Sequence, residues 1–324
     1  MKHILTLIFL LFLIPQTLPA IKLENRMPES VWQAEISLKI VPSYSRAFNG
    51  YGEEAPLQNL MLWDRGWFDL VEGELKREEK RLELKLAYGL TEDWVVEAMI
   101  PMVQKIQSSS LKFDAGTPDQ QKVISNLSSE ELNGLGDINI QFGKDLSYST
   151  TWHNRGGFTT RLPTGNKGMR RGISSNSIGE GHGSVGAFIH VTWYPLVHGI
   201  RNCFRMEGKN ELTGERETLE GEKVYYSAGN RADLYYSWSI ERQNVFAGTE
   251  LHYFQQSESK LPTGESNASF LKEINFEFGY GNLSELEQKP LSYPWQVRIG
   301  YTRPFAGQNT PLIHRWELSS TFLF

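Results

Sequence analysis

The sequence predicts an all-β fold: a transmembrane, antiparallel, up-and-down β-barrel of about twelve strands with long extracellular loops, formed by residues 21–324. Three observations carry that reading. The chain ends on an alternating strand with an aromatic last residue, the same alternation recurs along its length, and an export leader precedes it.

In the final strand Trp316, Leu318, Phe322 and Phe324 share one face, with Ser320 the single gap, while Arg315, Glu317, Ser319 and Thr321 share the other. In outer-membrane barrels the last strand closes the cylinder against the first, and its terminal ring sits in the lipid–water girdle. A soluble chain end would usually fray. The expected partners follow: outer-membrane lipid and lipopolysaccharide around the wall, and barrel-assembly machinery at this strand.

At the other end Lys2 and His3 precede the apolar run Ile4–Ile14, broken only by Thr6, and then Pro15 to Ala20. A positive start, an apolar core of about eleven residues and a helix-breaking tail make a signal peptide over residues 1–20. A membrane helix would need about twenty apolar residues. Cleavage is expected after Ala20, with delivery to the outer membrane of a Gram-negative bacterium. No lipobox cysteine follows directly on the apolar core, so a lipoprotein anchor is not expected. The single Cys203 permits no internal disulfide and no cysteine-based metal site.

Composition fits a barrel wall. Aromatic residues make up 12% and glycines number 29, yet the mean hydropathy is only −0.41. A strand that shows every second residue to lipid and the rest to water averages to a soluble-looking value. The net charge of −5 becomes −6 without Lys2, which argues against nucleic acid as a partner. No cofactor is expected.

The strands follow in order. Trp32, Ala34, Ile36, Leu38 and Ile40 alternate with polar residues, a period of two that excludes a helix. Leu82 to Leu90 repeats the pattern, Thr91-Glu92-Asp93 turns the chain, and Trp94 to Ile100 leads outward. Further strands are predicted over 136–146, 156–162, 184–194, 200–212, 230–240, 245–255, 270–280, 295–305 and 314–324. An even count leaves both ends on the periplasmic side. About eleven residues at roughly 3.3 Å rise, tilted near 45°, span the apolar band of about 25 Å. Residues 91–93, 195–199 and 241–244 read as short turns, whereas 43–66, 107–134, 164–183, 213–229 and 257–269 read as long polar loops. The stretch 281–294 is too long for a periplasmic turn, and 67–80 has no clear register. An aromatic girdle is predicted from Trp32, Trp94, Trp152, Trp193, Tyr194, Trp295 and Phe324, each where a strand leaves the hydrocarbon.

Four short motifs occur in series: Tyr88-Gly89-Leu90-Thr91-Glu92-Asp93-Trp94, Ile100-Pro101, Gly134-Leu135-Gly136-Asp137-Ile138 and Leu162-Pro163-Thr164-Gly165. In order and spacing they resemble the outer-membrane family named for a MetA pathway of phenol degradation, over about residues 82–194. The resemblance implies a transporter-like barrel that passes small, apolar or aromatic compounds. It supplies no catalytic residue. Leu-Pro-Thr-Gly recurs at Leu261 to Gly264 and reads as reuse of one turn.

If the even-numbered faces of the early strands meet lipid, the opposite faces line the lumen. That assigns Glu35, Lys39, Arg81, Glu83, Lys85, Glu97, Asp137, Asn139, Gln141 and Arg161 to the interior. On later strands His190, Arg201, Arg205, Glu207, Glu250, His252, Arg298, Arg315 and Glu317 join them. A lumen with both signs of charge holds water in a diffusion pore for a small-molecule solute, or knits itself shut through arginine–carboxylate pairs. A plugged barrel would then act through its loops as a structural or receptor surface.

A lipid-modifying barrel enzyme is the rival class. None of the seven histidines lies in a Gly-x-Ser-x-Gly motif. Gly181-His182-Gly183-Ser184 is the nearest approach to a nucleophile–base pair, and a glycine-rich loop explains it. Gly165-Asn166-Lys167-Gly168 lacks the Lys-Ser/Thr and helix of a phosphate loop. Asp137 and Glu97 have no companions at metal-ligand spacing.

Overall fold

The computed structural model describes residues 32–62, 71–112, 117–125, 127–149, 151–165, 178–194, 200–217, 223–242, 244–261, 264–266, 268–281 and 295–323. The leader predicted over 1–20, the segments 195–199 and 282–294, and Phe324 lie outside them.

Twelve antiparallel strands close into one barrel. They are β1 (Trp32–Tyr44), β2 (Leu75–Gly89), β3 (Trp94–Ser109), β4 (Glu130–Leu135 and Ile138–Tyr148), β5 (Trp152–Leu162) and β6 (Ser184–Trp193). The second half contains β7 (Ile200–Glu211), β8 (Arg231–Arg242), β9 (Val245–Gln256), β10 (Ser269–Gly281), β11 (Trp295–Gln308) and β12 (Arg315–Leu323). Each pairs with the next in sequence, and β12 returns to β1, so that Leu38 opposes Leu82 on one side and Leu318 on the other.

The distribution of side chains is the reverse of a soluble protein's. Leu38, Phe204, Leu251, Phe278, Ile299 and Leu318 are exposed on the outer wall. Ser37, Glu83, Glu207 and Asp233, on the opposite face of their strands, are buried. Apolar groups on the outside are stable only where the surrounding medium is itself apolar, which makes the wall a lipid-facing one. Closure matters for the same reason, because a free sheet edge in hydrocarbon would leave unpaired N–H and C=O groups.

Several strands run further than their alternation predicts. β2 begins at Leu75, inside the stretch of unclear register, with the charged run Lys76–Lys80 paired to 104–108 of β3. β3 continues through Pro101 to Ser109. A proline lacks a donor but keeps its acceptor, and the Pro101 carbonyl takes a hydrogen bond from Gly136 N at 2.8 Å. β4 is predicted to open at Gly136, but it is interrupted there, between Leu135 and Ile138. β5 starts at Trp152 rather than Gly156, after a tight turn from Tyr148. His153-Asn154-Arg155 is polar throughout, so no alternation marks it.

The long loops are not simply polar coil. Arg46–Phe48, Glu54–Pro56 and Thr310–Pro311 form a three-stranded sheet, and 213–217, 223–227, 259–261 and 264–266 form a four-stranded one. Beside the first sheet, Ala47, Leu57, Val71, Leu75, Ile124 and Leu127 build a compact apolar cluster at the loop end. Leu261 and Gly264, the two ends of the second Leu-Pro-Thr-Gly segment, oppose each other in the four-stranded sheet.

Candidate functional site

The strand register puts one charged belt on the inner face. Lys39 of β1 sits between Glu83 of β2 at 2.7 Å and Glu317 of β12 at 3.9 Å, so an ion triplet spans the seam of the barrel. Below it Lys85 meets Glu97 at 2.9 Å, and Arg155 reaches Glu97 at 3.8 Å and Asp145 at 2.7 Å. Above it Glu79 receives Arg81 at 2.9 Å and Lys105 at 3.7 Å. Next to the seam, Arg298 bridges Glu35 and Glu277, both at 3.8 Å. Charges so enclosed are costly unless paired, and pairing along the wall meets that cost.

Across the lumen, Glu207 of β7 holds Arg205 at 2.8 Å and Lys209 at 2.9 Å. Asp233 of β8 accepts two bonds from Arg231, at 2.7 and 2.8 Å, and one from His252 at 3.0 Å. His252 turns its other nitrogen to Glu273 at 3.1 Å and stacks on Tyr235 with ring centres 4.2 Å apart.

Of the residues assigned to the lumen from sequence, Glu35, Lys39, Arg81, Glu83, Lys85, Glu97 and Arg161 stand in this ion-pair network, with Arg205, Glu207, His252, Arg298 and Glu317. Asn139 and Gln141 face Arg161 and Thr159 on β5. His190 bonds through Nε2 to the Cys203 sulfur, with Thr192 beside both. Arg201, Glu250 and Arg315 have no oppositely charged side chain within 4 Å among the described residues, although Arg315 donates to Thr302 at 3.4 Å. The buried Nε atoms of Arg205, Arg298 and Arg315 find no acceptor among the described residues. Asp137 differs from the rest. It sits in the break of β4, buried, with its carboxylate bound to backbone N–H groups of the β5–β6 connection.

Arg155, Asp145, Arg231, Asp233 and Glu273 belong to the belt without having been singled out from sequence. Their signal was available: each continues the inward parity of a predicted strand or of its extension.

The aromatic residues gather at the end of the barrel that carries the short turns. Trp32, Trp94, Trp152, Trp193 and Trp295 are all exposed there. Trp152 stacks on Trp193 at 5.8 Å, Trp32 packs on Tyr88 at 4.6 Å and Trp295 on Tyr280 at 6.0 Å. Tyr194 follows directly, its N–H bonded to the Thr151 carbonyl. Trp238, exposed and level with Asn202 and so with Trp193, extends the ring.

His182 does not face lipid. Its Nδ1 donates to the Glu180 carbonyl at 2.9 Å, since a carbonyl can only accept, and Nε2 lies 2.8 Å from Arg161 and 3.1 Å from Glu211.

No family model matches the chain, and no curated protein matches it. Among solved structures it is similar to the COG4313 outer membrane channel from Pseudomonas putida F1, with a TM-score of 0.68 at 12% identity over 94% of this chain and 99% of that one. The fold is that of an outer-membrane β-barrel. At such low identity the likeness extends to the fold alone. A NanC porin (TM-score 0.41, 10% identity, 89% of this chain and 98% of that one) and the CymD monoaromatic hydrocarbon channel (0.43, 10%, 92% and 89%) are more distant and carry no weight here.

Proposed function

We propose that the protein is an outer-membrane channel for small solutes. The observation that carries this reading is the inward belt of paired charges inside a wall whose outer face is apolar. A barrel serving only as a scaffold gains nothing from enclosing ions, because apolar side chains of equal volume would fill the space at less cost. A water-filled passage needs such groups.

The motif resemblance to the phenol-degradation family extends the proposal to small aromatic compounds. The same reading gives the wall to outer-membrane lipid and lipopolysaccharide, and β12 to the assembly machinery. Lipid hydrolysis is disfavoured: His182 and His252 are committed to interior ion pairs rather than to the lipid edge. Refolded protein in a planar bilayer should give discrete conductance steps, and proteoliposomes should take up phenol faster than protein-free vesicles. Silent bilayers together with unchanged uptake would refute the channel.

A further inference from the structure

Most inward arginines of the belt reach a carboxylate, as Arg81, Arg155, Arg231 and Arg298 do. Arg77 and Arg315 donate to Gln107 and Thr302 instead. Arg201 of β7 is different: among the described residues it reaches no oxygen acceptor. Its neighbour is a ring, that of Phe246 on β9, whose centre lies 6.0 Å from the guanidinium carbon. Arg201 is only half-buried, whereas Phe246 is buried.

The wall around that ring is shaped to receive it. Gly279 of β10 stands opposite Phe246, and Gly248 follows two residues along β9. A Cβ on Gly248 would lie 3.1 Å from Phe246 Cζ, and one on Gly279 would lie 2.6 Å from Arg298 Cγ. Two missing side chains thus let the ring and the Arg298 stem lie close to the sheet. Arg298 comes within 5.9 Å of the same ring, but its charge is shared with Glu35 and Glu277. Beside Arg201 the row continues with Ser239 of β8 and then Gly248, neither of them charged. Directly opposed residues hold their Cβ atoms about 5 Å apart, so Ser239 sets a hydroxyl next to the guanidinium. A phenyl ring attracts a cation through its π face but offers it no acceptor oxygen, which leaves the planar N–H fork for an oxyanion. An enclosed charge without a counter-charge is costly. A mobile anion removes that cost.

We propose that Arg201, held on Phe246 with the Ser239 hydroxyl beside it, binds the carboxylate group of a permeating small organic acid. This rests on the channel reading and narrows it to a solute class. Phe246 is the positioning residue, and Arg201 is the group that touches the solute. One uncompensated guanidinium matches one negative charge, and a two-oxygen carboxylate fits its fork. A doubly charged phosphate is the poorer match.

The test uses the full-length refolded protein in detergent, with heat-modifiable gel mobility as the check on folding. Binding of benzoate, of its uncharged counterpart benzamide and of inorganic phosphate is measured by titration calorimetry. Benzoate should bind best, and Arg201→Gln should weaken it at least tenfold while leaving benzamide unchanged. Arg201→Lys keeps the charge without the fork and should fall between. Phe246→Leu keeps the bulk without the π face and should weaken benzoate several-fold. An unchanged benzoate affinity in Arg201→Gln overturns the proposal, as does an equal loss for benzamide or a tighter fit for phosphate. In proteoliposomes Arg201→Gln should slow benzoate entry several-fold and leave phenol entry as it was. Arg201-dependent binding in a protein whose bilayers are silent supports the site and removes only the channel reading. A conducting protein that binds no benzoate removes the site and leaves the channel.

Discussion

The guanidinium carbon of Arg201 lies 6.0 Å from the ring centre of Phe246, with Arg298 at 5.9 Å from the same ring. Phe246 is buried between them. The ring holds the Arg201 guanidinium through the attraction of a cation to a π face, while no carboxylate offsets its charge within 4 Å among the described residues. Arg201→Ser should therefore move selectivity toward cations, read as a shift of the reversal potential in a potassium chloride gradient toward the potassium equilibrium potential. An unchanged potential would mean that ions do not pass this level of the barrel.

Asp233 is fully buried and accepts hydrogen bonds from both Arg231 and His252. Asp233→Ala leaves two enclosed donors without their acceptor, a loss of about 3–5 kcal/mol by the usual cost of breaking a buried pair. Urea unfolding of refolded protein in vesicles, followed by tryptophan emission, measures it. Asp233→Asn keeps the shape and an acceptor oxygen, so it should cost less. Equal losses for the two would show that charge alone matters.

On the outer wall, Leu318 opposes Leu38 and Ile299 and is exposed. Leu318→Arg should destabilise the barrel by about 2–4 kcal/mol, the range for a cation near the bilayer midplane of such proteins. Ser319→Ala, one residue on and facing inward, should be nearly neutral. Comparable effects at the two positions would contradict the alternation on which the fold depends.

The tryptophans at the turn end should lie at headgroup depth. In vesicles of brominated lipid, single-tryptophan proteins retaining Trp152 or Trp193 should be quenched more by bromines near the headgroup than by bromines near the chain end. Retaining Trp316 alone, which pairs with Ile40 nearer the loop end, should give the same order at the opposite rim. Stronger quenching by deep bromines would exclude a girdle role.

The wall of the barrel was readable because lipid and water sort side chains with a period of two, and Trp32 to Ile40 or Leu82 to Tyr88 obey it residue by residue. Inward assignment needed nothing beyond parity, which is why Lys39, Glu83 and Glu317 could be named before their ion triplet was known. Pairing partners were not readable, since they depend on register: Arg155 meets Asp145 because the two stand opposite each other in the β4–β5 ladder. The extensions of β2 and β3 past the lipid were hidden because both faces of Lys76–Lys80 are wet, which removes the contrast that marks a strand. Asp137 was assigned to the lumen by parity, whereas it lies buried in the break of β4 with its carboxylate on backbone N–H groups. Its neighbours Gly134, Leu135 and Gly136 signalled close backbone approach, but the loop that approaches them lies more than twenty residues downstream.

The seam joining β1 to β12, from Gln33 opposite Leu323 to Ile40 opposite Trp316, makes the two extremes of the barrel near neighbours. A nascent chain that has yet to deliver its twelfth strand is an open ribbon with two raw margins, and hydrocarbon offers neither of them a hydrogen bond. Insertion of such a ribbon one hairpin at a time would strand those margins in oil. The chain must therefore be kept waiting until it is whole, and then go in as a finished ring or against a template that caps its edges.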